Sequence, residues 1–217
     1  MTALFVPGPE GQLEALHELP APSDLLVPRF AAVVCHPHPL YGGTLHNTLV
    51  FRAARALRAA GGATLRFNFR GVEASAGRHA GSPGPGGEED DAAACLDWLA
   101  REHPGAPLWG AGFSFGARTI AGLAARDVRL KRLFLIAPPI GLYPSETVAH
   151  VPVPALAVWG SLDEFGTLSA FERRSPGAAP GLTTLEIPGA DHFFRGHTPE
   201  VEEAVKAFAL SGLEASP

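Results

Sequence analysis

Short apolar runs alternate along this chain with segments of helical periodicity, and that alternation restricts the fold more than any other feature. Residues 31–35 (AAVVC) are apolar throughout and predict a buried strand. Residues 47–60 follow, with Leu49, Val50, Ala53, Ala54 and Leu57 at helical spacing, arginines between them and Gly61-Gly62 as a stop. The pattern then repeats. Strands are predicted over 63–69, 107–112, 132–137, 155–160 and 182–187, and helices over 88–102, 115–125 and 164–173. A last helix is capped by Thr198 and has Pro199 at its first position. Glu88, Glu89, Asp90 and Asp91 fill the first turn of the 88–102 helix, where the helix dipole favours negative charge. Buried strands alternating with helices imply a parallel sheet covered on both faces. The first thirty residues differ: apolar stretches at 4–6 and 13–19, separated by Pro-Gly-Pro-Glu-Gly, predict an antiparallel hairpin at one edge.

At 217 residues the chain fits one domain, 1–217. The formal charge of −5, with no Lys/Arg cluster, argues against nucleic acid or an anionic membrane as partner. No run of about 18 apolar residues could span a bilayer, and the N-terminus lacks a secretory pattern. Cys35 and Cys95 sit in apolar stretches and read as core residues in a reducing compartment. The expectation is a soluble, cytoplasmic protein; its oligomeric state is not readable from these features. The 25 glycines and 21 prolines mark many turns. One stretch, 76–87 (AGRHAGSPGPGG), has no apolar anchor and is expected to be a mobile loop. It lacks the Lys-Ser/Thr ending of a phosphate-binding loop.

Gly112-Phe113-Ser114-Phe115-Gly116 matches G-x-S-x-G. With this composition such a pentapeptide arises by chance about once in eight chains, so its setting decides. An apolar strand leads in and a helical pattern leads out. A sharp strand-to-helix turn strains the serine backbone and demands small residues two positions before and after it. Ser114 is then raised above the carboxyl end of the sheet, near a helix N-terminus that favours developing negative charge. Gly110, Gly112 and Gly116 also spell a loose dinucleotide-binding pattern, but it follows a late strand, and no acidic residue ends the next one.

A nucleophilic serine needs a base, and the base needs an orienting acid. His192 lies just after the last predicted strand and Asp163 directly after strand 155–160, both on the edge that carries Ser114. The order Ser114, Asp163, His192 is the one expected from successive strand ends. Asp191 and Glu164 are rival acids. Asp191 ranks below Asp163 because adjacent side chains tend to diverge.

The loop His36-Pro37-His38-Pro39-Leu40-Tyr41-Gly42-Gly43-Thr44 follows strand 31–35. An oxyanion needs two backbone N–H donors. Phe115, next to the nucleophile, is expected to supply one; Pro37 and Pro39 have none, which leaves His38, Leu40 or Tyr41 for the second, with Leu40 favoured and His38 the next choice. His36 and His38 could also be half of a metal site. No third ligand stands at a recognisable spacing, and the simpler reading buries His36 against the loop backbone. No metal or cofactor is expected.

With these residues in place the chain resembles an α/β-hydrolase. More narrowly, it is similar to a small bacterial serine esterase or predicted-hydrolase group with the His36–Thr44 loop, the Arg66–Val72 strand end (RFNFRGV) and the GFSFG elbow; Ala137-Pro138-Pro139, Gly160–Asp163 and Ala190–Phe194 also fit. The resemblance covers residues 3–210. It implies an α/β-hydrolase fold: a mostly parallel eight-stranded sheet with an antiparallel second strand, helices on both faces and no cap domain. It also implies hydrolysis of uncharged esters, and it supports Ser114, Asp163 and His192 as the triad. One departure stands out: the group usually has glycine where this chain has Glu73.

Where many hydrolases of this fold insert a lid, this chain has only residues 137–154, rich in proline. A shallow, open site for short acyl esters is expected, with Tyr41, Phe113 and Phe193 as apolar walls, joined by Leu40, Phe115 and Phe165. The expected activity is that of a serine carboxylesterase working through an acyl-enzyme on a small-molecule ester. A thioesterase, peptidase or acyltransferase on the same triad, or a non-catalytic binding protein of this fold, are the alternatives.

Overall fold

A computed structural model describes residues 2–21, 27–81 and 84–214. The opening hairpin forms as expected: β1 (Thr2–Gly8) pairs antiparallel with β2 (Gly11–Glu18). The remaining strands are β3 (Phe30–Cys35), β4 (Gly62–Phe67), β5 (Leu108–Phe113), β6 (Leu130–Ile136), β7 (Ala155–Gly160) and β8 (Leu182–Ile187). All eight join one sheet in the order β1-β2-β4-β3-β5-β6-β7-β8. β2 meets β4 antiparallel, and from β4 to β8 every pairing is parallel.

Strand alternation sorts side chains onto two faces. Ala31, Val33 and Cys35 of β3 join one core with Leu65 and Phe67, under α2 (Glu88–Glu102) and α3 (Phe115–Ala124). Phe30, Ala32 and Val34 join the other, under α1 (Thr48–Ala59) and α6 (Thr198–Glu214). α1 is capped by Asn47, whose side-chain oxygen accepts from the N–H of Leu49 and Val50. Its Arg52 and Arg55 pair with Glu202 of α6. Two short helices complete the chain. α4 (Glu146–Ala149) was not expected, and α5 (Leu168–Arg174) begins four residues later than the pattern suggested. α6 starts at Thr198, which places Thr198 inside the helix rather than before it, a boundary shift of one residue.

In the 76–87 stretch, residues 82–83 lie outside the described residues. Several of the others make hydrogen bonds to residues outside the stretch. The Arg70 guanidinium donates to the carbonyls of Gly86 and Gly87 and to Asp91, and Glu88 accepts from His79 and from the Ala80 N–H. Glu73 takes φ 48°, in the left-handed region, which explains why glycine is usual there. Its carboxylate accepts from Asn68 Nδ2 at 2.7 Å.

Between β6 and β7, residues 137–154 hold only α4 and turns, so no cap stands over the carboxyl edge of the sheet.

Candidate active site

Ser114 sits between β5 and α3 with φ 54° and ψ −116°, the strained turn that the sequence predicts. Its flanking glycines are required by close backbone approach. A Cβ on Gly112 would stand 2.3 Å from the Gly116 backbone, and one on Gly116 would stand 2.4 Å from the Cys35 carbonyl oxygen. The strain is held by the Ser114 N–H, which donates to the Ile136 carbonyl at 2.8 Å.

Asp163 follows β7 and His192 follows β8, so parallel strands deliver both to the edge that holds Ser114. His192 Nε2 lies 2.9 Å from Ser114 Oγ, and His192 Nδ1 lies 2.8 Å from Asp163 Oδ2. A carboxylate can only accept, so the ring proton sits on Nδ1, and the Nε2 lone pair faces the serine hydroxyl. Asp163 Oδ1 accepts from the Phe165 N–H at 2.8 Å, which fixes the carboxylate plane. Asp163 and His192 are both buried. The rival Asp191 turns away. It accepts from the N–H of Phe193 and Arg195 and pairs with the Arg195 guanidinium. Glu164 is exposed.

The His36–Thr44 loop closes over the same edge. His36 is fully buried; its Nδ1–H donates to the Pro37 carbonyl at 2.6 Å and its Nε2 accepts from the Phe69 N–H at 3.0 Å. Burial pushes its pKa down to about 4, so the ring is neutral. Among the described residues, no group of three His, Cys, Asp or Glu side chains could hold a metal.

Leu40 does not fit the donor role first given to it. Its N–H donates to His38 Nδ1 at 3.2 Å, the residue is 72% exposed, and it does not line the cavity beside Ser114. The physical reason is a short 3-10 turn, Pro39–Tyr41, capped by the His38 side chain. His38 and Phe115 do line the cavity, and among the described residues their backbone N–H groups have no partner. Burial, then the nearby His79, lowers the His38 pKa, which preserves the neutral ring that caps Leu40.

The cavity beside Ser114 measures about 510 Å³ and includes Tyr41, Phe165, His192 and Phe193 on its walls. Phe113 does not line it: the ring is buried beneath His192, at 5.3 Å between centroids, and reaches only a smaller neighbouring cleft. Its strand position sends the side chain under the histidine. Pro139, Leu142 and Tyr143 were not anticipated as walls. They follow β6 on the same carboxyl edge, a placement that topology alone could have flagged. Tyr41, at 87% exposed, and Leu142, at 63%, stand at the open rim.

Residues 28–167, well over half of the chain, match the family described as serine aminopeptidase, S33. An uncharacterized protein, RP471, of Rickettsia prowazekii is 31% identical, over 97% of this chain and 90% of the relative. XC6422 from Xanthomonas campestris, described as an α/β serine hydrolase without lid, superposes with a TM-score of 0.88 at 35% identity, covering 100% of this chain and 96% of that one. Est1E from Butyrivibrio proteoclasticus, solved with ferulic acid bound, shares the fold at a TM-score of 0.80 and 19% identity, over 98% of this chain and 100% of that one. Fold, elbow and sequence agreement together place the chain in the serine aminopeptidase, S33 family of α/β-hydrolases, within its lid-less group.

Proposed function

We propose that this hydrolase cleaves short-chain, uncharged carboxylic esters through Ser114, His192 and Asp163. The carrying observation is the relay from Ser114 Oγ through His192 to Asp163, at 2.9 and 2.8 Å. His192 Nε2 accepts the Ser114 proton as Oγ attacks the ester carbonyl. The N–H groups of Phe115 and His38 hold the oxyanion. The imidazolium, balanced by Asp163, then protonates the leaving alcohol. Water repeats the cycle on the acyl-enzyme, with His192 again as base, and releases the acid.

The walls favour an ester over the peptide that the family description names. An aminopeptidase must recognise a protonated α-amine, which calls for a carboxylate near the nucleophile. Among the described residues lining the cavity there is no Asp, Glu, Lys or Arg. The neighbour Est1E holds a carboxylic acid, the product class of ester hydrolysis. The open rim and the missing cap suit small acyl groups.

Covalent labelling by a fluorophosphonate probe tests the reading. The wild-type protein labels and Ser114→Ala does not; an unlabelled wild-type protein refutes it.

A further inference from the structure

Behind the two residues proposed to hold the oxyanion lies a buried acid–histidine pair that the relay does not use. Glu88, the first residue of α2, is fully buried. Its Oε1 lies 2.5 Å from His79 Nδ1 and accepts from the Ala80 N–H at 2.9 Å. Its Oε2, and His79 Nε2, are buried with no partner among the described residues. A buried carboxylate with one bare oxygen is costly, so the helix dipole alone is a poor reason for its position.

The contacts of the His79 ring supply a better one. Its centroid lies 4.9 Å from that of His38 and 5.7 Å from that of Phe115, and the His38 and Phe115 rings lie 5.0 Å apart. The three rings form one cluster, and two of them belong to cavity-lining residues whose backbone N–H groups have no partner among the described residues. His38 is the more dependent of the two. Phe115 is anchored in α3, whereas His38 sits in a loop between two prolines that cannot donate. Its imidazole is engaged on one side by the Leu40 N–H and packs on the other sides against His79, Phe115 and Tyr41. The stretch that carries His79 is rich in glycine and has no large apolar side chain to insert. Glu88 supplies the fixed point in its place.

We propose that His79, held by Glu88, is a positioning residue that sets the place of the His38 N–H in the oxyanion hole. This rests on the proposed serine-esterase reading. It touches neither substrate nor the reacting atoms, so its effect falls on the transition state and not on ground-state binding.

The test compares His79→Ala, Glu88→Ala and Glu88→Gln with wild type on p-nitrophenyl acetate, with phenylboronic acid as a tetrahedral mimic at Ser114. Losing one aligned oxyanion donor costs about 100-fold or more, so partial misplacement in His79→Ala is expected to lower kcat by about tenfold or more. KM stays within about threefold, and phenylboronic acid inhibition weakens by the same factor as kcat. Glu88→Ala follows His79→Ala. Glu88→Gln keeps an oxygen that can accept from His79 Nδ1–H and the Ala80 N–H, and it restores most of the rate. The inference is overturned if His79→Ala keeps kcat within about threefold of wild type, or loses kcat while boronate affinity is unchanged. Should His79→Ala fail to fold, the Glu88 pair decides: equal kcat in the Ala and Gln variants overturns it. A wild-type protein that neither hydrolyses the ester nor labels with fluorophosphonate overturns the esterase reading itself, whereas an active wild type with an unaffected His79→Ala overturns this inference alone.

Discussion

Replacing Asp163 with asparagine is the sharpest test of the relay, because the structure dictates how the amide must sit. Asp163 Oδ1 accepts from the Phe165 N–H at 2.8 Å, and only an oxygen can occupy that position. The asparagine side chain therefore keeps its carbonyl on Phe165 and turns its NH₂ toward His192 Nδ1. Two donors cannot face one another, so the His192 proton moves from Nδ1 to Nε2. Nε2 then presents N–H, not a lone pair, to Ser114 Oγ, and the base is lost while every heavy atom stays near its place. The imidazolium also loses its balancing charge. In a serine-protease triad the equivalent change costs about 10⁴ in kcat, which corresponds to about 5.5 kcal/mol of barrier. The same size of effect is expected here, since His192 and Asp163 are both buried and water cannot readily replace the carboxylate.

The assay is steady-state hydrolysis of p-nitrophenyl acetate by Asp163→Asn, with circular dichroism to verify folding and the fluorophosphonate labelling rate as a second readout of Ser114 nucleophilicity. Asp191→Asn is the matched control. Asp191 serves the Phe193 and Arg195 turn, so its loss leaves kcat within about threefold. A folded Asp163→Asn that loses less than about tenfold refutes the tautomer argument, and a larger loss in Asp191→Asn reassigns the acid.

Three further outcomes are expected. With no cap over the rim, p-nitrophenyl butyrate is hydrolysed faster than the palmitate; the reverse order in kcat/KM sinks the open-site reading. His36 has its folded pKa lowered from 6.5 to about 4 by burial, so the unfolded chain takes up the proton first. Its contribution is complete above about pH 6.5 and is lost as pH falls toward 4, by up to about 3 kcal/mol. Urea midpoints of wild type should fall over that window more steeply than those of His36→Gln, and parallel curves refute the assignment. Both Glu73→Ala and Glu73→Gly lose the bond to Asn68, but alanine keeps the strain of a left-handed backbone that glycine relieves. The alanine variant is expected to be less stable by about 1 kcal/mol in urea unfolding, and equal stability removes the strain explanation.

The sheet was legible because each of its requirements is local or periodic. β3 alternates its side chains between two cores, and such a strand must read as a continuous apolar run. What the pattern missed was short: the four-residue α4 and the 3-10 turn at Pro39–Tyr41 span too few residues for any period to register. The start of α5 was misplaced because Asp163 and Phe165 are tied up in the site. Thr167 caps the helix, its side chain accepting from the Ala170 N–H.

The site divides along the same line. Ser114 announces itself through its glycines, because steric exclusion at Gly112 and Gly116 acts on the residues written beside it. Asp163 and His192 follow from topology, since parallel strands place their carboxyl ends together. The choice between Asp163 and Asp191, or between the Leu40 and His38 N–H groups, has no carrier so firm, only the tendency of adjacent side chains to diverge in the first case. It turns on which way one side chain points: Asp191 onto Arg195, and the His38 ring onto the Leu40 N–H. Glu88 is the extreme case. On the sequence it is one of four acidic residues at a helix start, and the dipole accounts for all four equally well. Yet Glu89 and Asp91 pair with arginines, whereas Glu88 meets His79 across a glycine-rich stretch. No periodicity links those two residues, because the sequence between them has no repeating pattern. A polar contact of that kind is encoded only in the packed structure, and this one stands beside the His38 and Phe115 rings, whose backbone N–H groups are the proposed oxyanion donors.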